Sequence, residues 1–218
     1  MIYQCIMFMV TAYLLGAIPF GRLIARRVAH IDITQRGSGN IGATNVAREL
    51  GIVWGVVTLM LDMLKGFLPV FLYARYFLQA GFEFETCLSA IGVSALLGHQ
   101  FSIFMGFRGG KGVATAIGIY LAVSPLACLT AVIIFMLIVY MWDFVSLGSM
   151  LAAILMPVLL AFFGTSQPLV TSSIIVAALI CFAHKDNIKR LFKGKERKWR
   201  AKIDQPNRSR SRSNSSSE

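Results

Sequence analysis

The residues best suited to chemistry cluster in Gly98 to Thr115, GHQFSIFMGFRGGKGVAT. These eighteen residues hold five glycines, a histidine, an arginine and a lysine. A glycine-rich loop lets backbone N–H groups approach an anion closely, and nearby cations offset its charge. Gly109, Gly110 and Gly112 around Lys111 therefore suit a phosphate or a similar oxyanion. The loop is not a Walker A loop, because the GxxxxGK[ST] spacing is absent and Lys111 is followed by glycine. Composition alone also allows a plainer reading, a flexible basic loop on the cytoplasmic side of a membrane protein.

Two other segments share this character. Arg36 to Arg48 reads RGSGNIGATNVAR, and His184 to Glu196 reads HKDNIKRLFKGKE. Brought together at the cytoplasmic mouth of a bundle, the three segments make a site with excess positive charge. Ser38, Asn40, Asn45 and Asn187 offer hydrogen bonds, while Arg48, Arg108, Lys111 and Lys65 offer charge. Several cations with few acids suit one or two phosphate-bearing ligands. The familiar catalytic patterns HxxxxD, HExxH, DDxxD and GxSxG are missing. The only histidines are His30, His99 and His184. His99 can be read as a base, an orienting group or a satisfied interfacial histidine. Ser38 as a covalent nucleophile lacks a partner base at a readable position. Cys5, Cys87, Cys128 and Cys181 are scattered through apolar runs without ligand spacing, so they read as small buried hydrophobes. No metal site is expected.

The scaffold that must position these segments follows from composition. Of 218 residues, 56% are hydrophobic, and the mean hydropathy is +0.69. Apolar stretches of membrane-spanning length recur, which predicts an all-α polytopic membrane protein forming one bundle. The net charge of +11 resembles a nucleic-acid signature, but twelve of the 21 Lys and Arg residues follow His184 and most others flank apolar runs. That is the pattern of cytoplasmic loops, so no nucleic-acid partner is expected. Seven transmembrane helices are predicted, over 2–24, 51–77, 87–104, 112–123, 126–141, 147–163 and 168–184. The N-terminus is then external and the C-terminus cytoplasmic. The first run lacks a basic n-region and a cleavage site, so it is expected to be retained.

Local signals refine this outline. Gly37 to Asn40 reads as a tight turn, with Thr44 or Asn45 capping a short helix. Residues 79–86, carrying Glu83 and Glu85, read as an external loop. Breaks are expected at Ser124-Pro125 and Trp142-Asp143. Asp143 reads as a helix-end residue. Merging the short fourth helix would lower the count to six and break the parity. Asp62 and Lys65 lie at i, i+3 within the second span, where each charge costs about 2.5–3.5 kcal/mol. They serve either as a structural ion pair or as a substrate contact. Residues 1–200 form the transmembrane domain, and 201–218 a disordered basic Ser/Arg-rich cytoplasmic tail suited to anionic headgroups. Physics alone stops at a basic, phosphate-suited pocket in a membrane, which fits an anion transporter as well as a lipid-synthesis enzyme. No internal repeat of the transporter kind is visible between the halves.

The ordered set GSGNIGATN, DMLKG, GHQFSIFMGFRGGKGVAT and HKDNIKRLFKGKE resembles the bacterial acyl-phosphate:glycerol-3-phosphate acyltransferase family over residues 1–200. The resemblance implies seven helices and a cytoplasmic-side active site in the bacterial inner (cytoplasmic) membrane. It implies acyl phosphate and glycerol 3-phosphate as substrates, 1-acyl-glycerol 3-phosphate and phosphate as products, and no cofactor or metal. Membrane lipids are the remaining partners, and the protein is expected to act as a monomer. Carried over by position, it implies catalytic roles for Ser38, Arg48, Lys111, His184 and Asn187. It implies substrate or phosphate binding by Asn40, Thr44, Asn45, His99, Ser102, Arg108, Gly109, Gly110, Gly112 and Glu196. Arg108 stands where the family usually has lysine, which keeps the charge and alters the geometry. The tail after about Asn207 lies outside the resemblance.

Overall fold

The computed structural model describes residues 2–77 and 81–200. The expected Ser/Arg-rich tail and the start of the expected external loop lie outside the described residues. Within them the chain is helical and contains no strand. α1 (Ile2–Ala17) and α2 (Phe20–Ala29) lead to α3 (Ala43–Leu50) and α4 (Ile52–Tyr76). α5 (Phe82–Gln100), α6 (Val113–Val123), α7 (Pro125–Trp142), α8 (Val145–Phe162), α9 (Gln167–Ala183) and α10 (Lys185–Phe192) follow. Short 3-10 turns occupy Ile33–Gln35 and Ile103–Met105.

The breaks expected at Ser124-Pro125 and Trp142-Asp143 separate α6, α7 and α8, and the expected end helices match α8 and α9 to within two residues. Pro125 starts α7, where its missing N–H costs nothing. Asp143 ends α7 in a left-handed conformation, as a helix-end residue. The expected 2–24 run is interrupted, because Pro19 cannot continue α1 and instead precedes α2. α2 buries Gly21 and Ala25 and carries Arg26 and Arg27 in its last turn. Glu83 and Glu85 sit in the first turn of α5, not in a loop, where they oppose the positive end of the helix dipole. α3 begins after Gly42, so neither Thr44 nor Asn45 caps it.

Among the described residues, five helical segments are long and apolar enough to cross a membrane, or six if the bent pair α9–α10 is one span. α6, at 11 residues, is about 16 Å long and falls short of the ~30 Å hydrocarbon core. The predicted count of seven depended on that helix.

Close helix approach fixes the bundle. A Cβ on Gly16 of α1 would strike the Ala95 carbonyl, and one on Gly98 of α5 would strike the Tyr13 carbonyl. The same reciprocal arrangement joins α4 and α6, through Gly66 against Thr115 and Gly118 against Met63. Small residues let backbones touch where lipid offers no hydrophobic drive for association. The buried core around Val70, Tyr73, Ile91, Leu96 and Ile119 lies between these pairs.

Asp62 and Lys65 are both almost fully buried, and Lys65 Nζ lies 2.8 Å from Asp62 Oδ1. Lys65 also donates to the Ile18 carbonyl at 3.1 Å, where α1 is broken before Pro19. The pair thus ties α4 to the α1–α2 junction; Asp62 lines the cavity described below and Lys65 does not. Removing one partner of such a pair leaves an uncompensated buried charge. Lys65→Ala is expected to lower stability by about 3–5 kcal/mol, and Asp62→Leu combined with Lys65→Met to recover most of that loss, measured by thermal unfolding in detergent.

Candidate active site

A cavity of about 520 Å³ runs from the segments named above into the bundle between α4, α6, α7 and α8. Ser38, Asn40, Thr44, Asn45, Arg48, His99, Lys111, Gly112, His184, Asn187 and Glu196 all line it. The three basic segments therefore converge, although 76 residues separate Lys111 from its partner Asn187 and 150 separate Arg48 from its partner Lys198.

Each side is built by local structure. Gly37 and Gly39 take positive φ and turn the first loop back on itself. Asn45, buried one turn into α3, accepts from the Ser38 N–H at 2.9 Å and donates to the carbonyls of Arg36 and Asn40 at 3.1 and 2.9 Å. Its amide is thereby committed to the loop, and it positions Ser38. Asn40 Oδ1 accepts from the Gly42 N–H at 2.8 Å, just ahead of α3. Ser38 is exposed at the cavity mouth.

The glycine loop divides by position. Gly112 adopts φ +83° and turns the chain into α6, beside the cavity. Gly109 and Gly110 do not line it. They pack where a Cβ would strike His99 and Gln100, and the Gly110 N–H donates to the His99 carbonyl at 3.0 Å. Ser102 is buried elsewhere, its Oγ donating to the Ala17 carbonyl, and Arg108 is exposed away from the lining. These four candidates shape or flank the loop that carries Lys111. Their positions on one motif did not reveal that the chain turns away from the cavity before Gly110. His99 is buried with Nδ1 3.9 Å from Asp62 Oδ1, and both residues line the cavity.

Glu196 joins the third segment to the rest. Its carboxylate accepts from Asn187 Nδ2 at 2.6 Å, Ser146 Oγ at 2.7 Å and Arg190 Nε at 2.8 Å. Burial opposes its ionisation, and those hydrogen bonds outweigh burial, so the carboxyl titrates below its ordinary range. A carboxylate engaged in this way holds its neighbours in place at the cavity wall. Asn187 turns its Oδ1 to Lys111 Nζ. His184 Nδ1 donates to the Ile180 carbonyl at 2.8 Å, so in the neutral ring Nε2 carries the free lone pair. Arg48 donates to the carbonyls of Arg197 and Lys198, both at 3.4 Å, and lies over the Trp199 ring. The Trp199 N–H donates to the Asp143 carbonyl at 2.9 Å, which fastens residues 196–199 across the α7–α8 turn.

Sequence reading missed Arg190, Ser146, Arg197 and Trp199, all lining residues. The three-residue spacing of Asn187 and Arg190 on α10 was a usable signal; the others depend on how residues 194–200 fold back. Among the described residues no group of His, Cys, Asp and Glu side chains is arranged to hold a metal ion.

The floor of the cavity is polar and cationic, while its inner walls from α6, α7 and α8 are apolar. Ile52 and Val56 of α4 and Met136 of α7 line it and are also exposed, so it opens sideways between those helices. Burial, partly offset by Glu196, brings the Lys111 ammonium down to about 8. Its charge is present below that value and lost above it. Affinity for inorganic phosphate, measured by isothermal titration in detergent, is therefore expected to fall as pH rises through about 8. Lys111→Met should flatten that dependence.

Known proteins share this architecture and its sequence. The family model described as glycerol-3-phosphate acyltransferase matches residues 6–194. A glycerol-3-phosphate acyltransferase of Geotalea daltonii is 48% identical over 191 residues, covering 88% of this chain and 95% of its own length. That of Geobacter sulfurreducens is 46% identical over 190 residues, with 87% and 95% covered. Crystal structures of PlsY (YgiH), an integral membrane glycerol 3-phosphate acyltransferase, superpose with TM-scores of 0.83 in the glycerol 3-phosphate form and 0.82 in the lysophosphatidic acid form. Both are 38% identical and cover 89% of this chain and 95% of their own. With the match running through all three basic segments and the helices that carry them, the chain belongs to the glycerol-3-phosphate acyltransferase family.

Proposed function

We propose that this enzyme transfers a fatty acyl group from an acyl phosphate to the sn-1 hydroxyl of glycerol 3-phosphate. The products are 1-acyl-glycerol 3-phosphate and phosphate, and the step enters phospholipid synthesis. The observation that carries this reading is a single cavity of two characters: a cationic floor suited to two phosphates, continuous with apolar walls suited to a fatty chain.

An acyl phosphate is a mixed anhydride, already activated, with phosphate as leaving group. The acceptor's C1 oxygen attacks the acyl carbonyl carbon, the bond from that carbon to the phosphate oxygen breaks, and the hydroxyl proton passes to the departing phosphate. The protein's tasks are to bring two anions together and hold the hydroxyl near the carbonyl. Lys111 has two N–H donors beyond the one on Asn187, and Arg48 has further N–H groups beyond its bond to the backbone. These cations offset the repulsion between the phosphates. Ser38, Asn187 and His184 bind and orient the polar groups, with Asn40, Thr44 and Gly112 completing the mouth. Asn45 and Glu196 position them, and His99, Gly109 and Gly110 support the loop.

The enzyme works as a monomer in the bacterial cytoplasmic membrane, without metal or cofactor. In this reading α6 is the core of a seventh crossing, with the N-terminus outside. Residues 1–200 form the enzyme and 201–218 a basic cytoplasmic tail facing anionic lipid. Purified protein should form lysophosphatidate from radiolabelled glycerol 3-phosphate and palmitoyl phosphate, but not from palmitoyl-CoA, and a chelator should change nothing. Product from palmitoyl-CoA alone would overturn the donor assignment. Lys111→Ala should lower turnover by about a hundredfold or more while the protein remains inserted and folded.

A further inference from the structure

The apolar limb of the cavity has a closed end. Along α6 it reaches from Gly112 to Tyr120, about 12 Å; along α7 from Val139 to Cys128, about 16 Å; and along α8 from Ser146 to Met156, about 15 Å, at 1.5 Å per residue. The polar ends of the three helices lie together, because Lys111 precedes α6 and Asp143 joins α7 to α8. Tyr120, Cys128 and Met156 are the lining residues furthest along the three helices from those ends, and all three are buried in one apolar cluster. Between mouth and end the bore is kept open by small side chains, Ala131 on α7 and Ala153 on α8.

The sideways slot is placed differently. Its exposed residues on α4, Ile52 and Val56, lie in the first turns of that helix, just after Arg48. On the α4 side it opens beside the polar groups, and on α7 it reaches Met136, so the limb is enclosed only beyond Met136. The limb begins next to Lys111 and leads away from them. Its walls have no partner atoms across the bore, and an inserted hydrocarbon chain restores those dispersion contacts.

We infer that the closed limb is a ruler for the acyl chain, with Tyr120, Cys128 and Met156 as its end wall and Ala131 and Ala153 setting its bore. This rests on the acyl-phosphate reading above. A chain that reaches the apolar end gains full contact, and a longer one must bend or back out through the slot. Pocket contacts of this kind discriminate by about tenfold or more for each methylene that fits or fails to fit.

The test is a competition. Octanoyl, dodecanoyl, palmitoyl and stearoyl phosphates are supplied in equal amounts with glycerol 3-phosphate, and the product chain lengths are read by mass spectrometry. Because the ratios are internal, they do not depend on the folded fraction. Ala153→Phe should shift the octanoyl-to-palmitoyl product ratio upward by about tenfold. Ala131→Phe is an independent blockage from the facing helix and should act in the same direction. Met156→Ala should raise the stearoyl-to-palmitoyl ratio severalfold. Wild-type product ratios in all three variants would overturn the ruler and put the chain in the bilayer through the slot. Absence of product from every acyl phosphate with wild-type protein would instead overturn the donor reading.

Discussion

Like charges do not gather unaided, and the polar floor of this protein depends on how one carboxylate gathers them. Lys111, Arg190 and Arg48 come from three distant parts of the chain and would repel one another in a half-dry setting. Glu196 binds Arg190 directly and reaches Lys111 through the Asn187 amide. Ser146 secures the same carboxylate to α8. The cations are thus preorganised before any anion arrives, and a phosphate meets donors already oriented. The opposing acid neutralises only part of the charge, so the floor remains attractive to anions.

The bundle turns a hydrophobic scaffold into support for that polar floor. Reciprocal glycine contacts set α1 against α5 and α4 against α6. The first pairing fixes the end of α5 from which the glycine loop departs. The second fixes the start of α6, where Gly112 leaves Lys111 at the cavity edge. The buried Asp62–Lys65 pair links both pairings through the break at Pro19. Each costly feature of the transmembrane region therefore lies beside the loop that carries the cations.

Much of this was legible in the sequence, and the exceptions have physical causes. Apolar runs and proline breaks located most helices, because lipid forces every backbone polar group into helical hydrogen bonds. The number of crossings was less legible, since α6 is too short to be judged by hydropathy alone. The three basic segments announced a phosphate-suited site. Within them, residue type did not separate ligands from supports. Asn45 and Glu196 look like binding groups, yet their hydrogen bonds are spent on Ser38 and on Asn187 and Arg190. Ser102 and Arg108 share a motif with Lys111 and still point elsewhere. The contributions of Ser146 and Trp199 depend on tertiary folding of residues 194–200, which no local pattern encodes.

The helix pairings also bear on how the protein is made. α1 packs most extensively on α5, and α4 on α6, so neither rests chiefly on the helix that follows it in the chain. Gly16 and Gly98 are separated by 82 residues, which a ribosome adds in roughly 4–16 s. Until α5 has been made, the glycine face of α1 lacks the partner it packs on in the folded protein. α4 likewise enters before its closest partner α6, already carrying Asp62 and Lys65. Their spacing on one helix lets the two charges neutralise each other without waiting for a neighbour. A self-contained ion pair is thus what makes α4 fit to enter the membrane early, ahead of the helices that will later enclose it.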